Sequence, residues 1–171
     1  MTGQQPDHHD FRAALGSLAS GVSVVTCVND GFDHAMTASA VMSVSLEPQL
    51  IAVGVARTAR FWSAIHSQRH WAVSILGGAA RDHASWLATS GRPLQGQLHR
   101  IPHSRGAHGV ALIDDALAWI ECETKQVVTA GDHDLFIAKV HSARLGPAQS
   151  GLVYWRSQYR HLGDPIPDPT A

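Results

Sequence analysis

Apolar residues recur along this chain in two rhythms, one of helical period and one of period two or shorter, and the second dominates. Phe11, Ala14, Leu15 and Leu18 stand at helical spacing, with Asp7 or Asp10 as the cap and Gly21 as the stop. Val22 to Val28 is β-branched and apolar, a strand by propensity. Asn29-Asp30-Gly31 is a hairpin signal, and the return strand passes His34 and Met36. Ser43-Val44-Ser45 alternates between polar and apolar. Leu50 to Val55 is apolar at nearly every position, which reads as a strand buried on both faces. Thr58 then stands as the predicted N-cap of a helix whose apolar side is Phe61, Trp62 and Ile65.

Trp71 to Leu76 is a further strand, closed by Gly77-Gly78, and Ala80, Ala84, Leu87 and Ala88 stripe a second internal helix. Residues 91 to 109 are rich in Gly, Pro, Arg and His and show no period, so a long functional or mobile loop is expected. Val110 to Ile113 and Ala116 to Val128 read as strands about the turn Asp114-Asp115. Leu135 to Val140 and a short Leu152 to Trp155 complete the strands. Pro165, Pro167 and Pro169 make an extended tail. Strands outnumber helices and most follow one another by short turns. The pattern favours a mainly β, antiparallel closed barrel with a few peripheral helices over a βαβ fold. One domain is expected over 8–162, with loose tails at 1–7 and 163–171.

Composition narrows the function. At 171 residues the chain buries roughly 70% of its unfolded surface as one domain and needs no disulfide or metal for a core. Thirteen Lys plus Arg balance fourteen Asp plus Glu, which gives no support to a nucleic-acid or anionic-membrane surface. Cys27 and Cys122 lie far apart in apolar stretches and read as buried, reduced thiols. The opening MTGQQPDHHD has no apolar core segment of a signal peptide, and no apolar run reaches membrane-spanning length. A soluble, cytoplasmic protein is expected.

No Gly-x-Gly-x-x-Gly, phosphate-binding Gly-Lys-Ser/Thr or Gly-x-Ser-x-Gly motif is present. Chemistry must then rest on a cofactor that asks little of the side chains. Met36 to Val55 is the stretch best suited to one. Thr37-Ala38-Ser39-Ala40 is small and hydroxyl-bearing, so a flat ligand could approach the backbone, although a packed turn fits it equally well. Arg57, Thr58 and Arg60 gather at a strand-to-helix junction, where free N–H groups and a dipole end suit an anion; solvated surface charges are the plainer reading.

Four segments occur in one order: Gly21-Val22-Ser23-Val24-Val25-Thr26, Met36-Thr37-Ala38-Ser39, Ser43-Val44-Ser45-Leu46-Glu47-Pro48 and Gly131-Asp132-His133. In that order the chain resembles the flavin reductase-like family, the NAD(P)H:flavin oxidoreductases that partner two-component monooxygenases. The resemblance runs from about Phe11 to about Tyr159. It implies a split β-barrel of Greek-key, FMN-binding type, a homodimer with its flavin site near the subunit interface, and a separate flavin-dependent monooxygenase fed by diffusible reduced flavin. It implies FMN or FAD as the flavin and NADH as the reductant, with NADPH left open because Arg92, Arg100 and Arg105 are equally placed to meet a 2′-phosphate. By the same resemblance Thr37, Ala38, Ser39 and Ala40 line the isoalloxazine, and Ser43, Val44 and Ser45 continue that wall. Ala56, Arg57, Thr58 and Arg60 hold the ribityl phosphate, Tyr159 lies over the site, and His133 meets the nicotinamide as the catalytic candidate. The chain departs from the family pattern at Ala40, at Gln49 and in lacking a Phe after the second internal helix. A flavin store or relay without nicotinamide turnover is the alternative.

Twelve histidines raise the question of a metal. His99, His103 and His108 are spaced for a loop site, but Pro102 and Gly106 interrupt any helix and no Cys, Asp or Glu stands among them. No metal is expected.

Overall fold

The computed structural model describes residues 7–163. Helix α1, His8–Gly16, opens the fold, and the Asp7 carboxylate caps it by accepting from the His9 amide at 3.3 Å. The helix stops five residues earlier than Gly21 predicted. Gly21 instead pairs with Val153, because the short strand β1, Ser20–Gly21, is captured by β11, Leu152–Trp155. Phe11 and Leu15 remain half exposed on α1.

Seven strands form one antiparallel sheet. They are β2 (Ser23–Asn29), β3 (Phe32–Ala38), β4 (Val41–Leu46), β5 (Gln49–Ala56), β6 (His70–Leu76), β9 (Ala116–Ala130) and β10 (His133–Leu145), in spatial order β3-β2-β6-β9-β10-β5-β4. Asp30 and Gly31 make the predicted β2–β3 turn, both at positive φ (51° and 77°), as a two-residue hairpin requires. The hydrogen-bonded ladder runs from β3 to β4 without joining those two. Mainly β architecture with few helices is thus as expected. The described tail residues bear only on its start: Pro165, Pro167, Pro169 and residues 1–6 lie outside the described residues.

Side-chain alternation divides the core. Val25 and Cys27 of β2 join Val53, Val55, Phe136 and Trp71 on one face, where α2 (Arg60–Ser67) packs Phe61 and Ile65. Val22 and Val24 face the other way, toward Leu76, Ile113 and Leu87 of α3 (Arg81–Ala88). Strands β2 and β5 are therefore buried on both faces, as their unbroken apolar runs require.

The loop expected over 91–109 is partly built. It contains β7, His103–Arg105, which pairs with β8, Ala111–Ile113, and it buries Gln97, Leu98 and Ile101. Periodicity missed it because three residues are too few to show a rhythm. Strand β12, Gln158–His161, which pairs with β11, was missed for the same reason. Both cysteines are buried and free, and burial pushes each thiol up to about 12.

Candidate functional site

The site begins at the free edge of the sheet. Strand β3 pairs only with β2 among the described strands. At Ala35 the outward main-chain groups are met by side chains: the Ala35 amide donates to Gln97 Oε1 at 3.2 Å, and its carbonyl accepts from Arg92 Nη2 at 2.5 Å. Antiparallel strands alternate, so two residues on the Thr37 amide and carbonyl also point away from β2. There they open into a hollow of about 170 Å3 lined by Thr37, Ala38, Ser39, Ala88, Tyr154 and Tyr159. Tyr154 and Tyr159 stand edge to face, 5.3 Å between centroids. Burial raises the Tyr159 phenol, which remains a proton donor. The Thr37 hydroxyl is spent elsewhere: it donates to the Ala84 carbonyl at 2.7 Å and fastens α3 to β3.

Thr37 and Ala88 also line a second, larger cleft of about 500 Å3, with Thr58, Arg60, Thr89 and Arg92. Thr58 does not cap α2: Ala59 holds the N-cap position and no side chain bonds the helix start. The expected helix began one residue too early, because Ala59 adopts extended backbone (φ −70°, ψ 136°). The Thr58 hydroxyl is thereby left to the cleft. Arg92 is half-buried, its Nη1 donates to the Thr89 carbonyl at 2.8 Å, and its buried Nε has no partner. Burial, and then the charge of Arg60, lower its pKa. Arg105, in contrast, is neutralised by Asp33.

Residues far apart in sequence converge beside this cleft. The Arg57 amide donates to the Asp132 carbonyl at 2.9 Å, and His133 stands opposite Ala56 in the β5–β10 register. Gly131 supplies the positive φ of 64° that the intervening turn needs. His133 is exposed, with Nδ1 2.8 Å from Asp132 Oδ1, a contact that lowers the Asp132 carboxyl. Neither His133 nor Arg57 lines either hollow. Ser43, Val44 and Ser45 lie on the outer strand β4, whose pairing with β5 is bulged between Ser43 and Ser45, and they too stand apart from both hollows. Ala40 also lines neither hollow; its carbonyl accepts from the Gly54 amide at 2.9 Å, which ties the β3–β4 connection to β5. Sequence reading named Arg92 only as one of three loop arginines for a 2′-phosphate and did not place it in this cleft; it missed Ala88, which lines both hollows, and Tyr154, which lines the smaller one. The signal available for Arg92 was the run of donors Thr89-Ser90-Gly91-Arg92 directly after a helix.

A further open hollow between Gly31–Asp33 and Gln97–His103 holds none of the predicted cofactor residues. His99 and His103 line it, while His108 stacks on His70 at 3.8 Å, so the three loop histidines are not gathered. Among the described residues no group of three or more His, Cys, Asp or Glu is arranged to hold a metal ion.

An antiparallel sheet with an open-edged hollow, two aromatic rings beside it and a donor-rich cleft adjoining it has room and donors for a flat ring and an attached anion. The chain belongs to the flavin reductase family: residues 15–163 match the flavin reductase like domain. It is 36% identical over 165 residues to the NADH-dependent FMN reductase AsuE2 of Streptomyces nodosus subsp. asukaensis, covering 95% of this chain and 89% of that protein. It is 35% identical to the reductase component of the flavin-dependent trigonelline monooxygenase of Acinetobacter baylyi, of which the match spans 47%. Among solved structures, BorF, the flavin reductase component of a bacterial two-component tryptophan halogenase, superposes with a TM-score of 0.86 at 36% identity. That superposition covers 93% of this chain and all of BorF. Streptomyces globisporus C-1027 NADH:FAD oxidoreductase SgcE6, solved with NAD and FAD fragments, gives 0.86 at 27% identity, covering 95% and 97%.

Proposed function

We propose that the chain is an NADH-dependent flavin reductase that passes a hydride from nicotinamide to FMN or FAD and supplies reduced flavin to a separate monooxygenase. The observation that carries this reading is the hollow at Thr37–Ser39, where edge-strand main chain opens beside Tyr159 and continues into the Thr58–Arg60–Arg92 cleft.

The residues present fit a flavin. The outward amide and carbonyl of Thr37 offer a donor and an acceptor to the rim of a flat polar ring system. Tyr154 and Tyr159 supply apolar faces and exclude water on one side. Thr58, Arg60 and the unpartnered Nε of Arg92 are donors with no acceptor of their own, the set a phosphate requires. Flavin, when bound, supplies the hydride acceptor, and the protein supplies position and electrostatics. Ala38, Ser39 and Ala40 keep the approach to the main chain low, and Ser43, Val44, Ser45, Ala56 and Arg57 are read as the continuation of the wall around it. His133, exposed and held by Asp132, is read as the nicotinamide contact.

Residues 8–162 are read as one split-barrel domain of Greek-key type, acting as a cytoplasmic homodimer. The supports are the antiparallel strand order and the family membership. An anaerobic titration tests the function. NADH should bleach the flavin band of added FMN or FAD in the presence of the protein and should not be oxidised without flavin. Flavin that binds yet stays oxidised under NADH would make the chain a flavin store instead.

A further inference from the structure

We propose that Asp134 is a positioning residue for both ligands: its buried bond to Trp62 seats helix α2, so that the wall of the phosphate cleft and the turn carrying His133 keep one fixed spacing. The proposal rests on the flavin reading above and gives a role to a buried carboxylate which that reading leaves unused.

Three observations carry it. The first is the bond. Asp134 is 3% exposed, and its Oδ2 accepts from Trp62 Nε1 at 2.7 Å. Its Oδ1 is buried with no hydrogen-bond partner, so the indole is the one group bonded to the carboxylate among the described residues. An idle carboxylate oxygen in the interior is a cost that an apolar pair would avoid. What the polar pair adds is direction. The bond, helped by the nearby Thr129 hydroxyl and the charges of Arg57 and His66, holds the Asp134 carboxyl below its usual range against the pull of burial. The acceptor is therefore ionised at neutral pH, and a bond to a charged acceptor is roughly twice as strong as a neutral one.

The second is what the bond holds. Phe61, Ala64 and Ile65 bury the inner face of α2, but apolar contact is non-directional and fixes neither the turn nor the slide of a helix by itself. Among the described residues, Trp62 is the one member of α2 whose side chain bonds a side chain of the sheet. The other polar tie, Gln68 Nε2 to Asn29 Oδ1 at 2.7 Å, lies past the far end of the helix. His66, one turn on, stacks on Trp62 with 4.7 Å between centroids and stands edge to face with Phe136 at 6.2 Å. The indole is thus clamped to β10 at two neighbouring points.

The third is what lies at each end. On the helix side, Thr58 to Phe61 all line the 500 Å3 cleft and lead directly into Trp62. On the sheet side, Asp134 follows His133, and the Asp132 carbonyl accepts from the Arg57 amide at 2.9 Å. A rotation of α2 against β10 would carry the phosphate wall away from His133 and disturb both ligands together.

The full chain is tested by FMN titration, followed by flavin fluorescence, and by NADH kinetics at saturating FMN. The wild type is compared with Asp134→Asn and with the double variant Trp62→Phe/Asp134→Leu. Asp134→Asn keeps an acceptor for the indole and should leave the FMN Kd and the KM for NADH within about threefold. The double variant removes both partners and strands no polar group, so it should melt within about 4 °C of the wild type. It should nevertheless raise the FMN Kd and the KM for NADH by about tenfold each, the scale of one directional contact, with kcat within about twofold. A double variant that melts and binds both ligands like the wild type overturns the proposal and returns the pair to the fold. So does a shift confined to one ligand, or an Asp134→Asn effect as large as that of the double variant. Should the double variant not fold, Trp62→Phe alone carries the same expectation for Kd and KM, and unmoved values there overturn the proposal equally. A wild type that binds no FMN brings down the flavin reading itself, and this proposal with it.

Discussion

The fold treats cationic side chains in opposite ways at two places. At the β6–β9–β10 junction one carboxylate, Glu123, collects Arg69, Lys125 (2.7 Å) and His141 (3.1 Å). Its carboxyl is held down to about 2, chiefly by the Lys125 hydrogen bond, against the opposing pull of burial. Beside β3, Arg60 and Arg92 share a cleft with hydroxyls and main chain and no carboxylate. Glu123 shows that this chain supplies acids where neighbouring cations only have to be neutralised. Leaving a half-buried guanidinium with an orphaned Nε is costly unless something else brings the negative charge. On the proposed reading, the contrast separates charge that holds the fold from charge that meets a ligand.

The same substitution at the two places gives the sharpest test and the largest effect. Arg60→Glu should raise the flavin dissociation constant by about 100-fold, the loss of one charge-assisted contact plus repulsion of the phosphate. Its melting temperature should hold, because Arg60 is exposed at the first turn of α2, where an acidic residue favours the helix dipole. Arg69→Glu should do the reverse: unchanged flavin affinity and a lower melting temperature, since it sets a second carboxylate against Glu123. Fluorescence titration and thermal melts on both variants decide it. Equal weakening of flavin binding by both would reduce the contrast to a general field effect.

A smaller effect is expected at Thr58. With no helix to cap, its hydroxyl is free of the helix start, and on the proposed reading it serves the ligand alone. Thr58→Ala should raise the flavin dissociation constant by about tenfold, and stability should stay within about 0.5 kcal/mol. The loss of a true N-cap would cost about 1 kcal/mol. A clear drop in melting temperature with unaltered flavin affinity would return Thr58 to the helix.

These assignments show what the sequence could and could not carry. Strands β2 and β5 were legible because both faces are buried, and an unbroken apolar run has few other uses. The β2–β3 turn was legible because Asp-Gly answers a backbone demand for positive φ. The ring hollow was legible only through family resemblance, since Thr37-Ala38-Ser39 is equally good turn chemistry. Arg92 was legible only as one of three loop arginines able to meet a phosphate, with nothing to choose it over Arg100 and Arg105 or to place it in this cleft. What places it is the bond from its Nη2 to Ala35, 57 residues away, and no local pattern encodes which loop will cover a sheet edge. Thr58 was misplaced by one residue for a related reason: a cap is fixed by the dihedral angles of Ala59, and Ser, Thr, Asp or Asn near a helix start is a preference only.

The smallest effect, and the one that isolates the structural end of the comparison, is the dependence of stability on pH. His70 stacks on His108 with ring centroids 3.8 Å apart and is faced also by His141, Glu123 and Arg69. Burial first, then the charge of His108, lower its pKa below the ordinary 6.5. A lowered histidine pKa means the unfolded chain takes up the proton more readily. Its contribution to stability is therefore present above pH 6.5 and lost as pH falls from there through the folded value. Glu123 is lowered from 4.5 to about 2, so its contribution is full above 4.5 and lost between those two values. Thermal melts should thus show two acid steps, the first below pH 6.5 and worth about 2–4 °C per kcal/mol lost. His70→Gln should erase the first step, and Glu123→Gln should shrink the second, to which the lowered carboxyls of Asp132 and Asp134 also contribute. Flavin affinity should be level across the first step, because no histidine lines the Thr37 hollow or the Arg60–Arg92 cleft. A melting temperature that is flat from pH 7.5 to 5 would show that the His70 imidazole takes up its proton as readily in the folded protein as in the unfolded chain. A flavin affinity that fell with the first step would join the two regions that the charge pattern keeps apart.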